Sequence, residues 1–255
     1  MSRTLALTAD ALSPPDGSGV WSGYAGLEGT RDEMLPPDGG GVNVPWQSLV
    51  RALESLGPGE VGRRWEEARA LIRENGVTYN VYGDPRGLDR PWALDPIPLV
   101  MGPEDWSRLE AGVAQRARLL DLLLADLYGA QHVLTRGLLP PALIFGSRAY
   151  LRPCRHLKVA DNRYLHLYAA DLGRAADGSW LVLDDRTQSP SGAGYALENR
   201  IVLARMWPDV FRDCGVYRLA PYFQAVREAL RAIAPHNRDT PRIVLLTPGP
   251  YNETY

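Results

Sequence analysis

The sequence predicts an α+β fold, and three observations carry that expectation. An apolar, aromatic-rich run from Tyr164 to Asp171 and a second run from Trp180 to Asp184 flank the turn sequence Ala176-Asp177-Gly178-Ser179, which is the pattern of an antiparallel hairpin. The segments on either side repeat apolar residues at helical spacing. A single apolar run, Arg242 to Thr247, leads into Pro248-Gly249-Pro250 and resembles the first strand of a doubly wound unit, so an α/β start is expected at the C-terminus.

The elements follow in order. Residues 1–41 are rich in Gly, Pro, Asp and Ser, with Pro-Pro-Asp-Gly at Pro14 to Gly17 and again at Pro36 to Gly39. Such a composition buries too little apolar area to offset chain entropy, and this first segment is expected to be mostly flexible. Residues 42–240 form the main, helical-plus-hairpin part. Trp46 to Leu56 has one apolar face and stops at Gly57-Pro58; Pro58 to Asn75 carries Val61, Trp65, Ala68, Leu71 and Ile72 and ends at Gly76. Val77 to Tyr82 is strand-like and closes at Gly83-Asp84-Pro85. Pro103 to Tyr128 opens with Pro-Glu-Asp, a favourable helix start, and aligns Leu109, Val113, Ala117, Leu120, Leu124 and Leu127 on a stripe expected to face the core. Short helical character near Gln131 to Arg136 precedes Pro140-Pro141, Leu143 to Phe145 and Tyr150 to Pro153. After the hairpin come helices over Tyr195 to Met206 and Pro221 to Ala234, the latter with Phe223, Val226, Leu230 and Ile233 inward. Residues 241–255 hold the lone terminal strand. With no helix or partner strand after it, the chain is expected to be a truncated product or an open-reading-frame fragment.

At 255 residues, with 45% hydrophobic and 23% charged residues, the chain has the composition of a soluble globular protein with room for a sizeable core. A net charge of −2 gives no overall drive toward nucleic acid or an anionic membrane, although local basic patches are compatible with it. Cys154 and Cys214 stand far apart in sequence and form no metal-ligand spacing. The N-terminal residues lack the apolar stretch of a signal peptide, and no run approaches the ~20 residues of a membrane helix. A cytoplasmic location is the expectation.

The hairpin carries the chemistry. Its first strand delivers Asp171 and its second Asp184 and Asp185, followed by Thr187, Gln188 and the flexible stretch Ser189-Pro190-Ser191-Gly192-Ala193-Gly194; Glu198, Asn199 and Arg200 come next, near the start of a helix. Carboxylates beside freely available loop amides suit Mg²⁺ on a nucleotide, because Mg²⁺ takes a few hard oxygens together with phosphate oxygens. The same residues read equally as solvated turn and helix-start positions. A hydrolase triad built from Ser191 with His156 or His166 lacks the G-x-S-x-G context, since Pro190 and Ser189 precede the serine.

An acid on one strand, then an acid, a polar residue two further on and a Pro-Ser-Gly turn resembles the metal hairpin of ATP-grasp ligases. Asp171 matches the first acid, Asp185 the second, and Thr187 the polar residue, a place that Gln188 or Asn199 also suits. NGVTYNVYGDP (Asn75 to Pro85), RPWALDPIP (Arg90 to Pro98), LLLADLYG (Leu122 to Gly129), DRTQSPSGAGYALENR (Asp185 to Arg200) and RIVLLTPGPYNETY (Arg242 to Tyr255) together resemble the circularly permuted ATP-grasp family of type 2, from about Glu33 onward. That family is related to the amide-forming half of glutathionylspermidine synthase.

The resemblance implies a permuted ATP-grasp-like fold and ATP-dependent joining of a carboxylate to an amine through an acyl phosphate. ATP and Mg²⁺ would be the cofactors, and an acid and an amine, with a peptide or protein among the options, the substrates; nucleic acid and membrane are not expected partners. It also implies residue roles: Asp171, Asp185, Glu198 and Asn199 at the metal; Ser189, Ser191, Gly192, Gly194 and Lys158 at the nucleotide; Arg200 and Arg152 at phosphate or acyl-phosphate oxygens. The chain alone is expected to be inactive as a fragment of such a ligase. The alternative is a catalytically incomplete module that serves as a scaffold or binds a partner.

Overall fold

The computed structural model describes residues 24–36, 41–80, 90–234, 240–249 and 252. The fold is α+β: a helix-rich chain with one two-stranded antiparallel sheet among the described residues. The helices are α1 (Gln47–Glu74), α2 (Pro103–Tyr128), α3 (His132–Thr135), α4 (Pro141–Phe145), α5 (Ala193–Met206), α6 (Pro208–Asp213) and α7 (Ala220–Ala232), and the strands are β1 (Ala169–Arg174) and β2 (Trp180–Arg186). No described helix is long and apolar enough to cross a membrane.

The core lies where α1, α5 and α6 meet. The two helical patterns read on either side of Gly57-Pro58 are the two halves of α1, broken where Gly57 takes φ 71° and ψ 166°. A residue before proline is pushed out of the helical region, and only glycine reaches this positive φ without strain. The halves bring Leu49, Val50 and Leu53 from one side and Ala68 and Ile72 from the other onto Val202, Leu203, Met206, Trp207 and Val210. Trp207 is fully enclosed, and its indole N–H donates to the Pro96 carbonyl at 3.0 Å, which ties the 90–100 segment to this core. Met34, inside the segment expected to be flexible, also belongs to the core; residues 1–23 and 37–40 of that segment lie outside the described residues.

Helix α2 has the expected bounds, with Gly102 before it, Pro103 in its first turn and Glu104 and Asp105 beside its positive N-terminal end. Its stripe faces inward as its spacing predicts: Leu109 and Leu127 are buried and Val113, Ala117, Leu120 and Leu124 half-buried, while Leu119 and Leu122, off the stripe, are more than half exposed. By contrast α7 buries none of its residues: Phe223, Val226 and Leu230 are half-buried and Ile233, expected to point inward, is exposed.

Two strand expectations are corrected, and a third segment is unpaired among the described residues, as expected. The first strand begins at Ala169 rather than Tyr164, because the Asp121 carboxylate on α2 accepts the amide hydrogens of Tyr164 and Leu165 at 2.8 and 2.9 Å; Asp171 therefore sits inside the strand and not at its end. Of Val77 to Tyr82, the described part makes a single antiparallel bridge, Thr78 to Pro91, and the closing turn Gly83-Asp84-Pro85 lies outside the described residues. Arg242 to Thr247 joins no ladder among the described residues, and its Val244, Leu245 and Leu246 are 77%, 87% and 93% exposed.

The division of labour between core and surface gives a direct test. Leu53→Ala removes a fully enclosed side chain at the α1 contact and is expected to cost about 2–5 kcal/mol in urea unfolding. Leu119→Ala on the open face of α2 is expected to change stability by no more than ~0.5 kcal/mol.

Candidate functional site

The hairpin turn is built as the sequence predicts. Asp177 accepts from the amide and hydroxyl of Ser179 at 2.9 and 2.7 Å, and Gly178 takes φ 85° with Arg31 packed against it. From the turn outward Arg174 pairs with Trp180, Gly173 with Leu181 and Leu172 with Val182. The register then slips by one residue, so that Asp171 faces Asp184, Ala170 faces Asp185 and Ala169 faces Arg186. Leu183 is the extra residue of a β-bulge.

That slip decides which acids share a face. In a regular hairpin Asp171 would oppose Leu183 and lie on the side of Asp185, because alternate residues of a strand share a face. With the bulge, Asp171, Asp184 and Arg186 occupy one face, and Asp185 lies on the other with Tyr168 and Ala170. The ion pairs agree with this division. Arg186 donates to Asp171 at 2.6 Å and approaches Asp184 at 3.9 Å. Asp185 accepts two bonds from the Arg116 guanidinium on α2 and one from the Tyr168 hydroxyl, all at 2.6 Å.

The electrostatics follow from these contacts. The Arg116 guanidinium, and after it the Tyr168 hydroxyl, hold the Asp185 carboxyl down to about 2. Burial, and then the hydrogen bond to Asp185, push the Tyr168 phenol up to about 12. Arg186 lowers the Asp171 carboxyl below the usual carboxylate range.

The loop beyond β2 forms a cleft of about 270 Å³ lined by residues 184–191. Ser189 and Ser191 lie on its wall with Thr187 and Gln188, and Ser189 has a positive φ of 44°. Gly192, at φ 99°, precedes the first turn of α5, which includes Gly194.

The remaining predicted residues are spread apart. Glu198 accepts from the Asn75 side-chain amide at 2.6 Å, and the Asn199 oxygen accepts from the Trp92 indole at 2.7 Å, so both tie α5 to the segments around the end of α1. Arg200 is half-buried, its guanidinium 5.7 Å from the Phe211 ring centre, and burial lowers its pKa. Arg152 lies over Phe145 at 5.3 Å, and Lys158 is exposed on the segment that follows. Among the described residues no three His, Cys, Asp or Glu side chains gather as a metal-holding group. The structure thus brings Asp171 to Asp184 and not to Asp185, Glu198 or Asn199.

Sequence reasoning named Asp184 among the hairpin acids but connected neither Arg116 and Tyr168 to Asp185 nor Arg186 and Asp184 to Asp171. Alternation along β2 groups Asp184 with Arg186, but only the bulge, which has no mark in the sequence, places Asp171 with them. Arg116 is 69 residues from Asp185 and no local spacing connects the two.

With this geometry in place, comparison with known proteins identifies the class. The sequence model of the family described as "Circularly permuted ATP-grasp type 2" matches residues 98–255. The chain belongs to that family. It is 39% identical over 217 residues to an uncharacterized protein of Mycobacterium tuberculosis (strain H37Rv), covering 82% of this chain and 24% of that protein. An uncharacterized protein of Synechocystis sp. is 33% identical over 207 residues, with 81% of this chain and 43% of the relative covered. One of Mycobacterium leprae is 35% identical over 212 residues, covering 83% and 37%. The chain therefore spans between 24% and 43% of the length of these curated relatives.

The pairing of Asp185 with Arg116 predicts a specific titration. A carboxyl depressed in the folded state stabilises the fold above its ordinary value near ~4 and loses that contribution as pH falls toward the depressed value. Carboxyl-carbon NMR is expected to place the Asp185 midpoint at about 2 in the unaltered chain and to move it upward in Arg116→Ala. Unchanged midpoints would show that the two groups are not paired in solution.

Proposed function

We propose that the chain contributes the magnesium–nucleotide hairpin of an ATP-dependent ligase that joins a carboxylate to an amine. The observation that supports this reading is the pair Asp171 and Asp184 on one face of the hairpin, with Arg186 beside both and the cleft at residues 184–191 opening next to them. Membership of the ATP-grasp family supplies the reaction class.

The donor set fits Mg²⁺ on a nucleotide. Mg²⁺ is ordinarily held by one or two carboxylates while phosphates and waters complete its shell. Asp171 and Asp184 supply two hard carboxylates. Bound there, Mg²⁺ would neutralise charge on the transferring phosphate. Ser189 and Ser191 offer hydroxyls along the cleft wall. Asp185 belongs to the scaffold in this reading, since its oxygens hold the hairpin on α2 through Arg116.

The chemistry proceeds in two displacements. An oxygen of the acid substrate attacks the γ-phosphorus, ADP leaves and an acyl phosphate forms. The amine then attacks the acyl carbon, inorganic phosphate leaves, and the amine proton passes to a base or solvent. Phosphoryl transfer of this kind asks mainly for positioning and charge neutralisation, which carboxylates, a metal and arginine provide. The exposed run Val244 to Leu246 favours a second reading, a module that binds a partner without catalysis.

Calorimetry separates the two. Mg-ATP binding to this chain is expected to weaken by about tenfold or more in both Asp171→Asn and Asp184→Asn, and to be unchanged in Glu198→Gln. No binding by the unaltered chain, or equal binding by both variants, would overturn the nucleotide-hairpin reading.

A further inference from the structure

The geometry points to a docking surface for an acidic peptide around the C-terminal end of α2, on the segment from Arg136 to Arg163. This stretch carries Arg136, Arg148, Arg152, Arg155, Lys158 and Arg163 against one acid, Asp161, in a chain whose net charge is −2. All six cations are exposed, and none is ion-paired among the described residues. The nearby α2 acids Asp121 and Asp126 are engaged by backbone amides of Tyr164, Leu165, His132 and Val133 and not by these cations. Six cations against one acid within this segment make it a local positive field that attracts an anionic partner.

The segment is held in place as a surface. Gln131 donates to the Leu127 carbonyl at 3.1 Å and to the Tyr150 hydroxyl at 3.0 Å, the His156 amide donates to the Tyr128 carbonyl at 2.7 Å, and Tyr128 stacks between Tyr150 and Tyr164 at 5.1 and 5.9 Å. These contacts gather the chain about the last turn of α2, whose helix dipole is negative at that end and favours nearby cations.

The apolar side chains decide the kind of polyanion. Leu138, Leu143, Leu151 and Leu157 are interleaved with the cations, and each is more than half exposed. Single-stranded nucleic acid is held by open aromatic faces, but the tyrosines here stack on one another and Arg152 covers Phe145. An anionic membrane is bound in plane by a long amphipathic helix, whereas α3 and α4 have four and five residues. Leucines among cations match a peptide with alternating carboxylate and apolar side chains, in which charge complementarity steers and apolar contact holds.

The surface also leads to the cleft. From Arg163 the chain runs five residues to Tyr168, a span of at most ~18 Å, and the Tyr168 hydroxyl touches Asp185 on the cleft wall. Resting on the ligase reading, the peptide is then the acid or amine substrate, with its reacting group reaching the hairpin.

Fluorescence anisotropy tests the surface without nucleotide. A fluorescein-labelled glutamate–leucine copeptide is expected to bind the chain in a salt-sensitive manner. Arg148→Glu, Arg155→Glu and Arg163→Glu together are expected to weaken binding by about tenfold or more, while the same reversal at Arg227 and Arg231 on α7 leaves it unchanged. No binding, or equal loss in both variants, overturns the proposal. Tighter binding of an oligothymidylate or of phosphatidylserine vesicles than of the peptide also overturns it, in favour of those partners. Peptide binding that survives Asp171→Asn and Asp184→Asn, in a chain that fails to bind Mg-ATP, would sustain the surface while removing the ligase reading.

Discussion

One extra residue in β2 governs the site. Side chains alternate with a period of two along a strand, so the bulge at Leu183 moves every residue beyond it to the opposite face from the one a regular hairpin would give. Asp185, which a regular hairpin would place beside Asp171, instead meets Arg116 and Tyr168. Asp184 and Arg186 take its place next to Asp171. One face becomes a scaffold contact and the other an acidic pair.

Three polar anchors join the hairpin and the segment before it to α2. Arg116 holds Asp185, Asp121 holds the amides of Tyr164 and Leu165, and Asp105 pairs with Arg174 at 2.9 Å. Exposed ion pairs of this sort contribute at most ~1 kcal/mol each. Arg174 is the stronger anchor, since only 14% of its side chain is exposed and its guanidinium lies 4.6 Å from the Trp180 ring centre. The apolar core is elsewhere, on α1, α5 and α6. The hairpin's orientation thus depends on directional bonds that fix angle and register, while the helices supply most of the hydrophobic stabilisation.

What the sequence discloses is local. The limits of α2, the break at Gly57-Pro58 and the turn at Asp177-Gly178 depend on neighbours within a few residues, and each is legible from propensity and turn chemistry. The start of β1 was set by competition: Asp121, 43 residues away, takes the Tyr164 amide. The candidate site was half legible for the same reason. Order along the chain put Asp171, Asp184 and Asp185 on one hairpin, but their division between faces rests on a bulge, and the capture of Glu198 and Asn199 by Asn75 and Trp92 rests on contacts more than 100 residues apart. The missing burial on α7 has another cause. Apolar periodicity shows which face avoids water, and says nothing of whether enough neighbouring structure exists to cover it.

The two ends of the site carry opposite charge, and this places a condition on the proposed chemistry. Asp171 and Asp184 outnumber Arg186, so their face repels a phosphate or a carboxylate-rich peptide. The proposed docking surface at Arg136 to Arg163 would attract the same peptide, since its cations outnumber its acids. A ligand drawn to the basic surface would then stop short of the acidic face until a divalent cation reverses its sign. Under the ligase reading, a divalent cation must sit on the hairpin acids before nucleotide phosphates or the reacting carboxylate can approach, so charge places the metal first in the order of binding.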